Sequence, residues 1–217
     1  MEKKLGILFD LDGTLLNTLE DLADATNYTL RYFGCPERSL AEVRKFVGNG
    51  VLSLMTQALP GREDDPDPQE LVKVFKTYYE GHSQIKTRPY DGIPEAIAKV
   101  AECYPVAIVS NKPDGAVQIL CAEYFPGYDA VGERAGTPRK PAPDMVYRTM
   151  DALGVESCIY VGDSEVDVLT AQNAKVPCLT VLWGFRDREL LEEVGAKHFC
   201  YAPEQLPECI QKLAEAL

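Results

Sequence analysis

The stretch Ile7–Thr18, "ILFDLDGTLLNT", sets the reading of the whole chain. Ile7, Leu8 and Phe9 continue an apolar run from Leu5, as in a strand buried on both faces. Asp10 and Asp12 then stand at alternate positions, and Gly13 follows at once. Two carboxylates so close raise each other's cost of ionisation. A strand that ends this way needs a compensating positive charge, and the residues that supply it must come from elsewhere in the chain.

From about Tyr90 onward, short apolar runs alternate with amphipathic segments. "PVAIVS" (105–110), "CIYVGD" (158–163), "PCLTVLW" (177–183) and "HFCYA" (198–202) read as strands, with "YDAV" (128–131) as a further short one. Residues 93–102, 113–122, 143–152, 164–174, 187–194 and 203–216 read as helices. With "LGILF" (5–9) this alternation predicts an α/β fold built on a doubly wound parallel sheet.

Residues 17–86 break that rhythm. Leu19, Leu22, Ala23, Thr26, Leu30 and Phe33 recur at helical spacing. Ser39 and Glu42 form a capping-box pattern ahead of Val43, Phe46 and Val47. Val51, Leu54, Met55, Ala58 and Leu59 suggest another helix, and Asp67-Pro68 announces one that carries Leu71, Val74, Phe75 and Tyr78. The expected organisation is a core of residues 1–16 and 87–217, an all-helical insertion of residues 17–86, and a cleft between the two parts.

Composition narrows the function classes. The 46% hydrophobic and 26% charged residues are those of an ordinary globular protein. Lys+Arg 22 against Asp+Glu 34 gives a formal charge of −12, which argues against nucleic acid or an anionic membrane as partner. "MEKKLGILFD" reads as leading into a strand rather than as a signal peptide, and no stretch approaches the roughly 18 apolar residues of a membrane span. The seven cysteines lack CxxC spacing, so reduced structural thiols in a cytoplasmic protein are expected.

In open α/β sheets, ligands bind beyond the carboxyl ends of the strands. Those positions hold Asp10, then Ser110-Asn111-Lys112, then Gly162-Asp163, while "RKPAPD" (139–144) places Lys140 just before a helix. Asp167 follows Asp163 by about one helical turn. A Mg²⁺ ion would neutralise clustered carboxylates, and it binds through few carboxylates plus a substrate phosphate, so a phosphate ester is the expected ligand. Asp10 could attack phosphorus as a carboxylate. Asp12 is placed to give a proton to the leaving oxygen and later to take one from water. Gly13 lets the backbone turn beneath the phosphate, Ser110 can donate to a phosphoryl oxygen, and Lys140 adds positive charge. Asn111 is read either as a substrate ligand or as a residue that orients its loop, and Lys112 either as a substrate ligand or as a surface lysine.

"DLDGTL", "SNK", the lysine of "KPAPD" and "GDSEVD" occur in this order and resemble the four motifs of the haloacid dehalogenase-like superfamily. The helical insertion is similar to that family's C1-type cap, so the resemblance spans nearly the whole chain. "VRKFVGNG" (43–50) and "VLWGFRD" (181–187) are similar to segments of the phosphoglycolate phosphatase-like branch. The resemblance implies a Rossmann-like core with an inserted cap, Asp10 as nucleophile forming an aspartyl-phosphate, and Asp12 as general acid/base. It implies Mg²⁺ held by the Asp10 side chain, the Asp12 backbone carbonyl and Asp163, with Asp167 acting through water or from outside the ligand set. Ser110 and Lys140 carry over as phosphate ligands, and Gly13, Thr14 and Asn111 join the expected substrate-binding set. Asn17-Thr18 departs from the Asp-Ser frequent in the family, a change near the cap hinge.

In the insertion, Arg44, Gly48, Asn49 and Gly50 are the candidates to meet the substrate, with Asn49-Gly50 as a helix start that offers amides to an anion. The bland alternative is a turn between helices. His82 and His198 are expected to have no catalytic part, Trp183 to be a core or rim aromatic, and "REDDPDP" (62–68) to be a solvated loop.

The expected function is hydrolysis of a small phosphorylated metabolite, 2-phosphoglycolate first. A β-phosphoglucomutase-like phosphomutase and a pyrophosphatase or nucleotide phosphatase are the rivals on the same fold. An EF-hand loop is excluded because Leu15 and Asp21 stand where it needs glycine and glutamate. A dehalogenase is disfavoured because it needs no acid at Asp12. A phospho-accepting signalling module would need neither that second acid nor a helical insertion.

Overall fold

The computed structural model describes residues 4–217. Met1–Lys3, the start of the segment read as leading into the first strand, lie outside the described residues. The chain divides into two compact units, one holding the residues up to Leu16 together with Pro89–Leu217, the other Asn17–Arg88.

In the first unit, β1 (Leu5–Phe9) is followed, beyond the helical unit, by α5 (Ile93–Ala101), β4 (Val106–Pro113), α6 (Asp114–Tyr124) and β5 (Asp129–Glu133). Then come α7 (Asp144–Leu153), β6 (Ser157–Gly162), α8 (Glu165–Ala174), β7 (Cys178–Val181), α9 (Arg188–Glu193), β8 (His198–Cys200) and α10 (Leu206–Glu215). The six strands form one sheet in the order β5-β4-β1-β6-β7-β8, every pair parallel. This is the expected doubly wound α/β architecture.

The two-residue period of the strands divides the core between the two faces. Ile7, Phe9, Ile108, Ile159 and Val161 pack with Ile93, Ile97, Leu120, Leu206 and Ile210 from α5, α6 and α10. Leu8, Val109, Cys158 and Tyr160 pack on the other face with Met145 and Val146 of α7 and Ala171 and Ala174 of α8. The seven cysteines are unpaired, as expected. Burial pushes the thiols of Cys158 and Cys178 up to about 12, so both are inert packing groups.

Register decides what meets at the carboxyl edge. Phe9 lies beside Ile108 on one side and Val161 on the other. The next residues along each strand are therefore Asp10, Val109-Ser110 and Gly162-Asp163. The Asp10 N–H donates to the Val161 carbonyl at 2.8 Å, which holds this alignment one residue past the strand.

Two expected elements differ in the structure. β4 runs to Pro113 rather than ending at 110, with its register to β5 shifting between Val109 and Pro113. The segment 203–216 is a 3₁₀ turn, Pro203–Gln205, followed by a separate helix. Pro207 cannot donate an N–H and suits the first turn of a helix, so it marks the restart.

The second unit holds α1 (Leu19–Tyr32), α2 (Leu40–Phe46), α3 (Gly50–Ala58) and α4 (Pro68–Glu80), and a short ribbon of β2 (Leu16–Asn17) with β3 (Arg88–Pro89) marks where the chain leaves and returns. The Ser39–Glu42 capping box forms, with Glu42 N–H donating to Ser39 Oγ at 3.3 Å and Ser39 N–H to Glu42 Oε2 at 2.8 Å. Asp67 Oδ1 accepts from Gln69 N–H and starts α4. Buried Asp21 accepts from Lys86 N–H, Thr87 N–H and Thr87 Oγ1, which ties the start of α1 to the end of the unit. The acidic 62–68 run is the expected exposed loop ahead of α4, turned by Asp65 Oδ2, which accepts from the Gly61 and Arg62 N–H groups. His82 stacks on Tyr78 at 3.9 Å, with Nδ1 2.7 Å from the Tyr78 carbonyl.

Candidate active site

Three acids from two strand ends and one helix converge in the first unit. Carboxylate oxygens of Asp10, Asp163 and Asp167 lie within 4.8 Å of one another, and all three residues are buried. Lys140 answers them. Its Nζ is 2.7 Å from Asp10 Oδ1, 2.8 Å from Asp167 Oδ1 and 2.9 Å from the Tyr160 hydroxyl, and its side chain is 2% exposed. Asn111 positions it through the main chain, accepting from Lys140 N–H at 2.8 Å and donating to the Lys140 carbonyl at 2.9 Å. The side chain of Asn111 thus orients a loop, one of the two readings open for it from sequence.

Each acid is held differently. Asp163 Oδ1 accepts from Thr14 Oγ1 at 3.1 Å, and Oδ2 from the Phe185 N–H at 2.6 Å. Asp167 spends Oδ2 on the N–H and hydroxyl of Ser164, completing a capping box for α8, and Oδ1 on Lys140. Gly13 (φ +85°), Gly162 and Gly184 line the acids so tightly that a Cβ on any of them would overlap Asp163 or Asp167. Trp183, expected as a core or rim aromatic, donates its Nε1–H to the Thr14 carbonyl at 3.0 Å and so steadies the loop after β1.

Asp12 is not part of that cluster. Its carboxylate meets Lys112 Nζ at 2.8 and 3.1 Å. This corrects one alternative from sequence: Lys112 is no surface lysine, since its side chain is 2% exposed. Ser110 is buried, and its Oγ accepts from Lys112 N–H at 3.2 Å. Arg44 lies in α2, and Gly48, Asn49 and Gly50 form the turn into α3, with Gly48 and Gly50 at positive φ (+123° and +78°). Those four belong to the helical unit and not to the cluster described here.

The electrostatics explain why a cation fits. Burial pushes the Asp10 carboxyl well above the ordinary range; Lys140 opposes this, and the charges of Asp167, Asp163 and Asp12 add to it. Burial, reinforced by Asp167, raises Asp163 to about 7 against the Phe185 N–H, Arg186 and Thr14. Burial acts to lower the Lys140 ammonium, but Asp10 and Asp167 outweigh it and hold the group well above its usual value. A buried, oxygen-only donor set with surplus negative charge suits a hard divalent cation such as Mg²⁺.

A measurement on the protein without metal tests this. An acid with its folded pKa near 7 and an unfolded value near 3.8 binds more protons when folded, so stability falls as pH rises between those values. Mg²⁺ binds the deprotonated form, so its gain in Tm should be larger at pH 8 than at pH 5, and about 5–10 °C at a hundredfold excess over its dissociation constant. Equal gains at both pH values, or none at pH 8, would refute the site.

The sequence profile of the haloacid dehalogenase-like hydrolases matches residues 7–181. The chain belongs to this family. A phosphoglycolate phosphatase of Cereibacter sphaeroides is 34% identical over 96% of this chain and 98% of its own length. That of Aquifex aeolicus is 34% identical over 82% of this chain and 85% of its own. A crystal structure from Lactobacillus delbrueckii subsp. bulgaricus superposes with a TM-score of 0.89 at 35% identity, covering 96% of this chain and 98% of that one. As a haloacid dehalogenase-like hydrolase the chain is an enzyme, and the named relatives are phosphoric monoester hydrolases. Among the described residues no helix is long and apolar enough to cross a membrane.

Proposed function

We propose that this hydrolase is a Mg²⁺-dependent phosphatase of a small phosphorylated metabolite, with 2-phosphoglycolate its first candidate substrate, and that it works through an aspartyl-phosphate on Asp10. The observation that carries the reading is the separation of the two alternate aspartates. Asp10 sits with Lys140 among the acids, whereas Asp12 faces a different cation, Lys112. Two carboxylates two residues apart thereby hold different environments and can take different parts.

Asp10 attacks phosphorus while the bond to the leaving oxygen breaks, and Asp12 gives that oxygen its proton. Water then attacks the acyl phosphate, Asp12 takes its proton, and phosphate leaves with Asp10 restored. Lys140 Nζ, 2.7 Å from Asp10 Oδ1, and Ser110 Oγ, from the adjoining strand β4, are the donors to the phosphoryl oxygens in this scheme. Asp10, Asp163 and the main-chain carbonyl of Asp12 would hold Mg²⁺. Asp167, tied to Lys140 and Ser164, takes a place outside the direct ligands in this reading. When bound, the metal supplies the charge neutralisation that lets a carboxylate meet a phosphate dianion. Residues 17–88 act as the cap in this reading, with Arg44, Gly48, Asn49 and Gly50 as its substrate-facing candidates.

The test is phosphate release from a panel of phosphomonoesters, pyrophosphate and nucleotides, with Mg²⁺ and with chelator. Chelator-sensitive release, fastest from 2-phosphoglycolate, is expected. A sugar phosphate isomerised without net release would replace the reading with the phosphomutase, and release from no member would end it.

A further inference from the structure

The bulge in β4 has a chemical consequence. A regular strand would send residues 110 and 112 to one face and 111 to the other. Here the register slips between Val109 and Pro113, and Ser110, Asn111 and Lys112 are all buried. Bulges beside active sites re-aim side chains in this way. The backbone is pressed tightly there, since a Cβ on Gly132 of the neighbouring strand would lie 2.7 Å from the Lys112 carbonyl.

Lys112 then touches two functional groups at once. Its ammonium lies 2.8 and 3.1 Å from the two oxygens of Asp12, so both share one cation and the plane of the carboxylate is fixed. Its own N–H occupies the Ser110 Oγ as an acceptor, which directs the Ser110 O–H toward a different partner. Lys140 serves the acids of the other group, Asp10 and Asp167.

We infer that Lys112 is the positioning residue for Asp12: it holds that carboxylate apart from the Asp10–Asp163–Asp167 cluster, in the place from which the proton reaches the leaving oxygen. This rests on the phosphatase reading and on Asp12 as its acid. The proton passes from Asp12 to the leaving oxygen as the phosphorus–oxygen bond breaks and the bond to Asp10 forms, and Lys112 itself exchanges no proton.

Leaving-group dependence distinguishes this role from a merely structural one. An alkoxide needs the proton and a nitrophenolate hardly does. In Lys112→Met, kcat/KM for 2-phosphoglycolate and for glycerol phosphate should fall roughly 10²-fold, at the lower end of the general-acid contribution, while p-nitrophenyl phosphate changes no more than about threefold. Lys112→Arg, which also pairs with both carboxylate oxygens, should recover part of the alkyl activity. Adding K112M to Asp12→Asn should cause no further alkyl-specific loss, and that pair removes both charges together, so it reports even if the single variant folds poorly.

An equal fall for all three esters would overturn the inference in favour of a structural lysine. A rise in KM confined to phosphoglycolate would overturn it in favour of a lysine that binds the substrate carboxylate. If Asp12→Asn itself shows no split between alkyl and aryl esters, the assignment of Asp12 fails. If the unaltered enzyme releases phosphate from none of them, the phosphatase reading fails.

Discussion

If the proposed aspartyl-phosphate forms on residue 10, Asp10→Asn should abolish turnover and leave the fold intact. The amide cannot form an acyl phosphate, so kcat/KM should fall by about 10⁴-fold or more, the scale on which enzymes lose rate with their covalent nucleophile. Stability should hold or rise, because burial is what pushes the Asp10 carboxyl up, and the substitution removes a charge that Asp163 and Asp167 repel. Lys140 keeps Asp167 at 2.8 Å as a partner. Thermal unfolding with chelator present checks the second half. Trapping the acyl phosphate with hydroxylamine or borohydride checks the first, since modification should fall on residue 10 in the unaltered enzyme and be absent from the variant. Activity within tenfold of the original, or a trapped group elsewhere, defeats the covalent mechanism.

The dependence on one strand end explains why so much was legible in sequence. An apolar run that stops at an acid marks both a buried parallel strand and the edge where ligands bind, so Asp10, Ser110 and Asp163 could be read from their neighbours alone. Ser39 with Glu42 and Asp67 with Pro68 were legible for a related reason: a cap and its helix are three or four residues apart. Longer connections were not. Asp21 looked like one more acid in α1, because its donors lie 65 and 66 residues away. The Phe185 N–H that holds Asp163 is a backbone group in a loop with no periodicity to betray it. Lys112 was open to two readings because the expected strand stopped at Ser110, whereas β4 runs on to Pro113 with its register shifted there. The flag available was the dipeptide Lys112-Pro113, since proline in a strand points to an edge or a bulge.

The formal charge of −12 likewise said little about the site. What matters locally is that two lysines, each with its side chain 2% exposed, pair with three acids, Lys112 with Asp12 and Lys140 with Asp10 and Asp167. Desolvated ammonium groups in such a place are stabilised only by what they touch, and each touches a different member of the aspartate pair.

That arrangement makes Lys140→Met the substitution with the largest expected effect on stability. It removes a cation that touches both Asp10 and Asp167 and leaves buried carboxylates behind, a change that costs about 3–5 kcal/mol when one partner of a buried pair is lost. The loss should depend on pH in a definite direction. Lys140 is what opposes the upward push on Asp10, so without it that carboxyl moves further up. A folded pKa above the unfolded one means that the folded state binds the extra proton, so stability is retained at low pH and lost as pH rises through the folded value. With chelator present, urea unfolding should therefore show a deficit for the variant that is larger near pH 8 than near pH 5. A deficit equal at the two values would mean that Lys140 stabilises by packing its stem and not by its charge, and the acids would then have to be neutralised by some other group.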